Sequence, residues 1–122
     1  MTDFDQTWVH RWYERMAIAY DPAFAWMYRA ARASMVAALQ LQDGDVVLDI
    51  GTGTGEDLPL LSAAVGSAGL VVGMDYSGAM LERARKKVSR LGLANVVLCQ
   101  GDAGAIDAAW WRSASGGARP PD

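Results

Sequence analysis

Three glycines at alternate positions, Gly51, Gly53 and Gly55, follow Asp49 at the end of an apolar run. Backbone without side chains can bring its N–H groups close to a ligand. A helix that starts directly after the glycines adds partial positive charge, which favours an anionic group such as phosphate or carboxylate. Asp49 adds the opposite preference, for a ligand that carries a positive charge such as an amino group. Two further acids close later apolar runs: Asp75, 20 positions after Gly55, and Asp102 within Gly101-Asp102-Ala103. A carboxylate at the first of these places can accept hydrogen bonds from the vicinal hydroxyls of a ribose. The pattern is a cradle for a nucleotide or a nucleotide-like cofactor.

The elements that must position these residues alternate between strand and helix. Val46-Val47-Leu48-Asp49-Ile50 reads as a buried strand, and Glu56 to Ala64 as the helix after the glycines. Gly69 to Asp75 and Val96 to Gln100 read as a second and a third strand. Asp21-Pro22 is a helix start, and that helix is predicted to run to about Leu41. Ser77 caps a helix whose positions Met80, Leu81, Ala84, Val88 and Leu91 describe one apolar face, with Gly92 as its C-cap. The other face carries Arg83, Arg85, Lys86, Lys87 and Arg90, read as a solvated face, with a docking patch as the alternative. Short connections between such units imply right-handed crossovers and a parallel sheet in the order third, second, first. A ligand then sits at the carboxyl ends of the strands, where all three acids fall.

Spacing separates the cofactor classes. A dinucleotide-binding turn has Gly-x-Gly-x-x-Gly, which would put its third glycine at position 56, where this chain has Glu56. The pattern present, Asp-x-Gly-x-Gly-x-Gly, resembles motif I of the class I S-adenosylmethionine-dependent methyltransferases. The second strand ending in Asp75 and the third followed by Gly101-Asp102-Ala103 extend the resemblance over roughly residues 43–104. The segment Trp12 to Asp21 is similar to the one that precedes the core in the ubiquinone/menaquinone-biosynthesis type and its small-molecule relatives. The resemblance implies an α/β, Rossmann-like parallel sheet with flanking helices, the N-terminal half of the class I methyltransferase fold. It implies S-adenosyl-L-methionine as cofactor, held by Asp49, Gly51, Thr52, Gly53, Gly55, Asp75, Tyr76, Asp102 and Ala103. Within that set Asp49 would meet the methionine amino end, Asp75 the ribose and Asp102 the adenine amine, with Tyr76 or Ala103 flanking the base. Tyr20 would line the pocket from the preceding helix. Trp8, Trp12, Met16 and Tyr20 also recur every four residues, as one buried helical face does. Each acid fits a strand-end or N-cap role as well.

Composition bounds the rest. A chain of 122 residues with 52% hydrophobic residues can bury one core. Its net charge of -3 argues against nucleic acid as a partner. A single cysteine, Cys99 inside the third apolar run, reads as a core residue in a reducing compartment. The acidic start Met1-Thr2-Asp3-Phe4-Asp5 does not read as a signal peptide, and no apolar run is long enough for a membrane span. These features predict a cytoplasmic protein, and the resemblance implies methyl transfer to a small-molecule acceptor by a truncated portion inactive alone, with no metal site. No catalytic base is assigned, and His10 reads as a surface residue. Residues 1–42 read as a helical lid region, 43–109 as a partial cofactor-binding domain and 110–122 as a disordered tail. Loss of the family pattern after Asp102 reads as truncation. The first strand would then be an edge, which predicts self-association through it. Two other functions stay open: a non-catalytic cofactor-binding or assembly module completed by a partner, and a nicotinamide-dependent oxidoreductase, which Glu56 disfavours.

Overall fold

Runs of β-branched residues pair into a three-stranded parallel sheet, in a computed structural model that describes residues 22–118. The elements are α1 (Pro22–Ala38), β1 (Val46–Ile50), α2 (Leu58–Val65), β2 (Leu70–Asp75), α3 (Gly78–Leu91), β3 (Val96–Gln100), a 3-10 turn (Ala103–Ala105) and α4 (Ala108–Ser115). The strand order is β1-β2-β3, with Val46 opposite Leu70 and Val71 opposite Val96. This is the order predicted, and β1 pairs on one side only among the described residues. Its last residue, Ile50, is exposed. No helix among the described residues is long and apolar enough to cross a membrane.

The chain divides into two units, residues 1–34 and 35–122. In the first, the described stretch is the body of α1, where the Arg32 guanidinium lies 5.3 Å from the centre of the Tyr28 ring. In the second, the last turn of α1 places Val36 in the core. The helix stops at Ala38, short of Leu41. The Leu39 and Gln40 N–H groups bond to carbonyls three residues back, tightening the end into a 3-10 turn.

Alternation along β2 sends Val71 to one side of the sheet and Val72 and Met74 into the other alternation, and all three are fully buried. A strand covered on both faces is the normal state of the middle of a parallel sheet. Val71 and Val96 join Leu58, Leu61 and Val65 of α2 and Ala84 of α3 in one cluster. The spacing of the α2 residues is that of a single helical stripe. Each fully buried side chain of this size contributes about 1.5–3 kcal/mol. The helix α2 begins at Leu58, two residues later than predicted, because Gly55, Glu56 and Asp57 still belong to the turn.

The helix α3 is capped as predicted. The Ser77 hydroxyl accepts from the Met80 N–H at 3.3 Å, and Gly92 closes the helix in the left-handed region. Its apolar face is narrower than the five positions named from the sequence. Leu81 and Ala84 are buried and Val88 half-buried, whereas Met80 and Leu91 are 42% and 48% exposed. They lie on the shoulders of the stripe, beyond the reach of the sheet.

The expectation of a structureless stretch from 110 is corrected for the described residues. Residues 108–115 form α4, which packs on β3. The Asp107 carboxylate accepts from the Trp110 N–H at 2.7 Å, a helix N-cap. Trp111 is buried, and its indole N–H donates to the Ala118 carbonyl at 2.7 Å. Burial of one large aromatic outweighs the small and polar composition around it. Replacing Trp111 by alanine is therefore expected to destabilise the fold by about 3–5 kcal/mol in denaturant unfolding. An unchanged midpoint would mean that α4 is not part of the core.

Candidate functional site

Asp49, Asp75 and Asp102 all fall at the carboxyl edge of the sheet: Asp49 one residue before the end of β1, Asp75 at the end of β2, Asp102 two residues after β3. Parallel pairing brings the three strand ends together, so residues far apart in sequence share one rim.

The glycine loop turns over this rim through hydrogen bonds to β2. The Gly51 and Thr52 N–H groups both donate to the Met74 carbonyl, at 2.8 and 2.9 Å. Thr52 is buried, and its hydroxyl donates to the Asp49 carboxylate at 2.9 Å. Gly51 has φ of +72 with open space where a Cβ would stand, so the chain turns sharply and leaves its backbone approachable. Gly55 serves packing instead. At φ of +84, a Cβ there would stand 2.8 Å from a Leu58 methyl and 3.3 Å from the Ala84 Cβ, so glycine lets the loop close on α2 and α3.

Asp75 ties the loop to the turn after β2. One carboxylate oxygen accepts from the Gly53 N–H at 2.9 Å and the other from the Ser77 N–H at 2.8 Å. Its own carbonyl accepts from the Gly101 N–H at 3.0 Å, which draws the third strand end to the second. Tyr76, next in the chain, is 79% exposed, so its ring stands free at the rim. Asp102 is exposed, and its carboxylate accepts from the Gly104 N–H at 2.9 Å, capping the 3-10 turn that begins at Ala103. Glu56 faces away to Lys87 of α3, with which it forms an ion pair, and accepts from the Thr54 hydroxyl at 3.2 Å. Tyr20 and His10 lie outside the described residues.

Three contributors escaped the sequence reading. Gly73, inside β2, has no room for a side chain: a Cβ would meet a Leu98 methyl at 2.8 Å and the Thr52 hydroxyl at 3.1 Å. A glycine within a strand signals such a close approach. Gln100 donates from its side-chain amide to the Tyr76 carbonyl at 3.0 Å, bracing the turn that carries Tyr76. Ser77 serves through its backbone as well as its cap. No motif marks Gln100, since its contact depends on the pairing of β2 with β3, whereas the Ser77 N–H bonds locally to Asp75 two residues before it.

An open groove of about 530 Å³ lies elsewhere, lined by Ser62, Gly66, Leu70, Leu93 and Asn95 among others. It sits at the amino ends of β2 and β3, opposite the acids. Its polar groups satisfy one another: the Ser62 hydroxyl and the Asn95 amide bond each other, and the Asn95 amide also donates to the Ser62 and Gly66 carbonyls. Among the described residues no group of His, Cys, Asp and Glu could hold a metal ion.

The fold and rim define an α/β cofactor-binding domain, and its comparison with known proteins gives the class. The chain belongs to a methyltransferase domain family, whose model matches residues 41–115, more than half of the chain. A protein-L-isoaspartate O-methyltransferase of Thermotoga maritima is 45% identical over 62 residues, 51% of this chain and 20% of that protein. A phosphatidylethanolamine N-methyltransferase of Cereibacter sphaeroides is 42% identical over 100 residues, 81% of this chain and 46% of that protein. The solved structure of a methyltransferase from Thiobacillus denitrificans, in complex with S-adenosyl-L-homocysteine, superimposes with a TM-score of 0.54 at 34% identity, over 63% of this chain and 31% of that one. The chain spans less than half the length of these relatives. The family is that of the S-adenosylmethionine-dependent methyltransferases, with that sulfonium compound as cofactor. Open space above Gly51 and the Asp75 carboxylate, whose two oxygens each accept one backbone N–H, fit such a group.

Because Gly73 abuts both Leu98 and Thr52, Gly73→Ala is expected to lower stability by about 1–3 kcal/mol, measured by thermal melting. A neutral effect would show that the glycine loop can shift without loss.

Proposed function

We propose that this chain binds S-adenosylmethionine across the carboxyl rim of its sheet and serves methyl transfer to a small-molecule acceptor. The observation that carries the reading is Asp75, whose two oxygens are held by the Gly53 and Ser77 N–H groups at 2.9 and 2.8 Å. A carboxylate oxygen accepts more than one hydrogen bond, so each keeps a lone pair for a ribose hydroxyl. The two N–H donors set the orientation in advance, which lowers the ordering cost of binding.

The other residues divide the cofactor between them. Asp49, with one oxygen steadied by the Thr52 hydroxyl, attracts the methionine ammonium. Gly51 and Gly53 let the methionine and ribose parts approach the backbone, and Gly55 supports them by closing the loop on α2 and α3. Asp102 keeps an oxygen for the adenine amine beside the one that caps Gly104. Tyr76 and Ala103 flank the base. When bound, the sulfonium supplies an already activated methyl group. The chain's part is to hold that methyl in line with an incoming nucleophile and to keep it from rotating away. A protein carboxylate is a second acceptor class, favoured by the likeness to the isoaspartate methyltransferase. Transfer of labelled methyl to lipid and small amines, but not to an isoaspartyl peptide, would support the first reading.

Calorimetric titration with S-adenosylhomocysteine tests the site. Asp75→Ala removes acceptors for two hydroxyls and is expected to weaken binding by at least about ten-fold. Equal affinity of the variant and the parent would remove Asp75 from the site.

A further inference from the structure

The acidic chain carries one cationic face. Arg83, Lys86 and Arg90 of α3 are exposed, and among the described residues none of them has an ion-pair partner. The remaining cations of the helix are engaged, Arg85 with Glu82 and Lys87 with Glu56. Positions three, four and seven apart stack on one side of a helix, so the three form a single stripe about 10 Å long. It lies opposite the buried Leu81 and Ala84. Met80 and Leu91, which the sheet fails to cover, stand beside the stripe and remain 42% and 48% exposed.

We infer that this face of α3 is a docking surface for an anionic lipid bilayer. Three unpaired cations on a domain with a net charge of -3 concentrate its attraction for negative charge at one place. A bilayer of anionic headgroups is complementary to it in sign and in shape, being a plane against a straight helix flank. The apolar shoulders decide between polyanions. Met80 and Leu91 enter the interface between headgroups and acyl chains, as the apolar border of an interfacial helix does. A nucleic acid offers no apolar layer to receive them, and the stripe contains no aromatic ring on which a base could stack. The surface is separate from the acids of the rim, so the inference stands whether or not the cofactor reading holds.

Flotation of the full chain with vesicles tests it. Vesicles of equal parts phosphatidylglycerol and phosphatidylcholine are expected to bind the protein, vesicles of phosphatidylcholine alone are not, and added salt should weaken the binding. Each cation near such a surface favours binding by roughly five-fold, so Arg83→Glu, Lys86→Glu and Arg90→Glu together, which also add repulsion, should cost at least about 100-fold. A melting curve like that of the parent certifies the variant. If it is unfolded, the three glutamine substitutions replace it and should still lose most of the binding. Met80→Ser with Leu91→Ser should reduce binding without changing its salt dependence. The inference is overturned if the parent ignores the anionic vesicles, binds both compositions alike, keeps its binding after charge reversal, or prefers a single-stranded oligonucleotide to the vesicles.

Discussion

Everything at the rim depends on the Asp75 carboxylate and the two backbone N–H groups that hold it. Gly53 belongs to the loop after β1, Ser77 to the turn before α3, and the Asp75 carbonyl reaches Gly101 after β3. One residue thus ties together three connections that are distant in sequence. A hydrogen bond to a charged acceptor is worth about 1.5–3 kcal/mol, so this pair is among the stronger local interactions in the domain. The constraint also explains the glycines. Gly73 must be small so that Thr52 can sit beneath the loop, and Thr52 in turn steadies Asp49.

The methyltransferase reading follows from this geometry more than from any single acid. The structure sends the Glu56 carboxylate to Lys87 on the outside, so the case against a dinucleotide turn rests on the glycine spacing and not on charge repulsion. The opposite edge of the sheet holds a groove in which Ser62 and Asn95 bond each other. The relatives share the core and differ in what they methylate, a protein residue in one and a lipid amine in another.

The strands were legible because β-branched runs bounded by turns leave little choice: β1 and β3 coincide with the apolar runs, and β2 begins one residue inside its run. Ser77 and Gly92 marked α3 by their capping chemistry. The end of α1 and the start of α2 were misplaced by a few residues, since turns trade 3-10 bonds for helical ones without a compositional sign. The helix α4 was missed although Asp107 is a sound N-cap, because its stability comes from burying Trp111 and not from its small neighbours. At the site, positions of the three acids could be read from the chain. The contact of Asp75 with Gly53 and the neighbours of Gln100 and Gly73 could not, since those contacts exist only once β2 lies between β1 and β3.

The most direct test of the account is to follow backbone amide resonances while S-adenosylhomocysteine is added. The account predicts the largest shifts at Gly53, Ser77 and residues 101–103, in one saturable transition, with Ser62, Gly66 and Asn95 unmoved. Shifts centred on Ser62 and Asn95, or none at Gly53 and Ser77 at saturation, would contradict it.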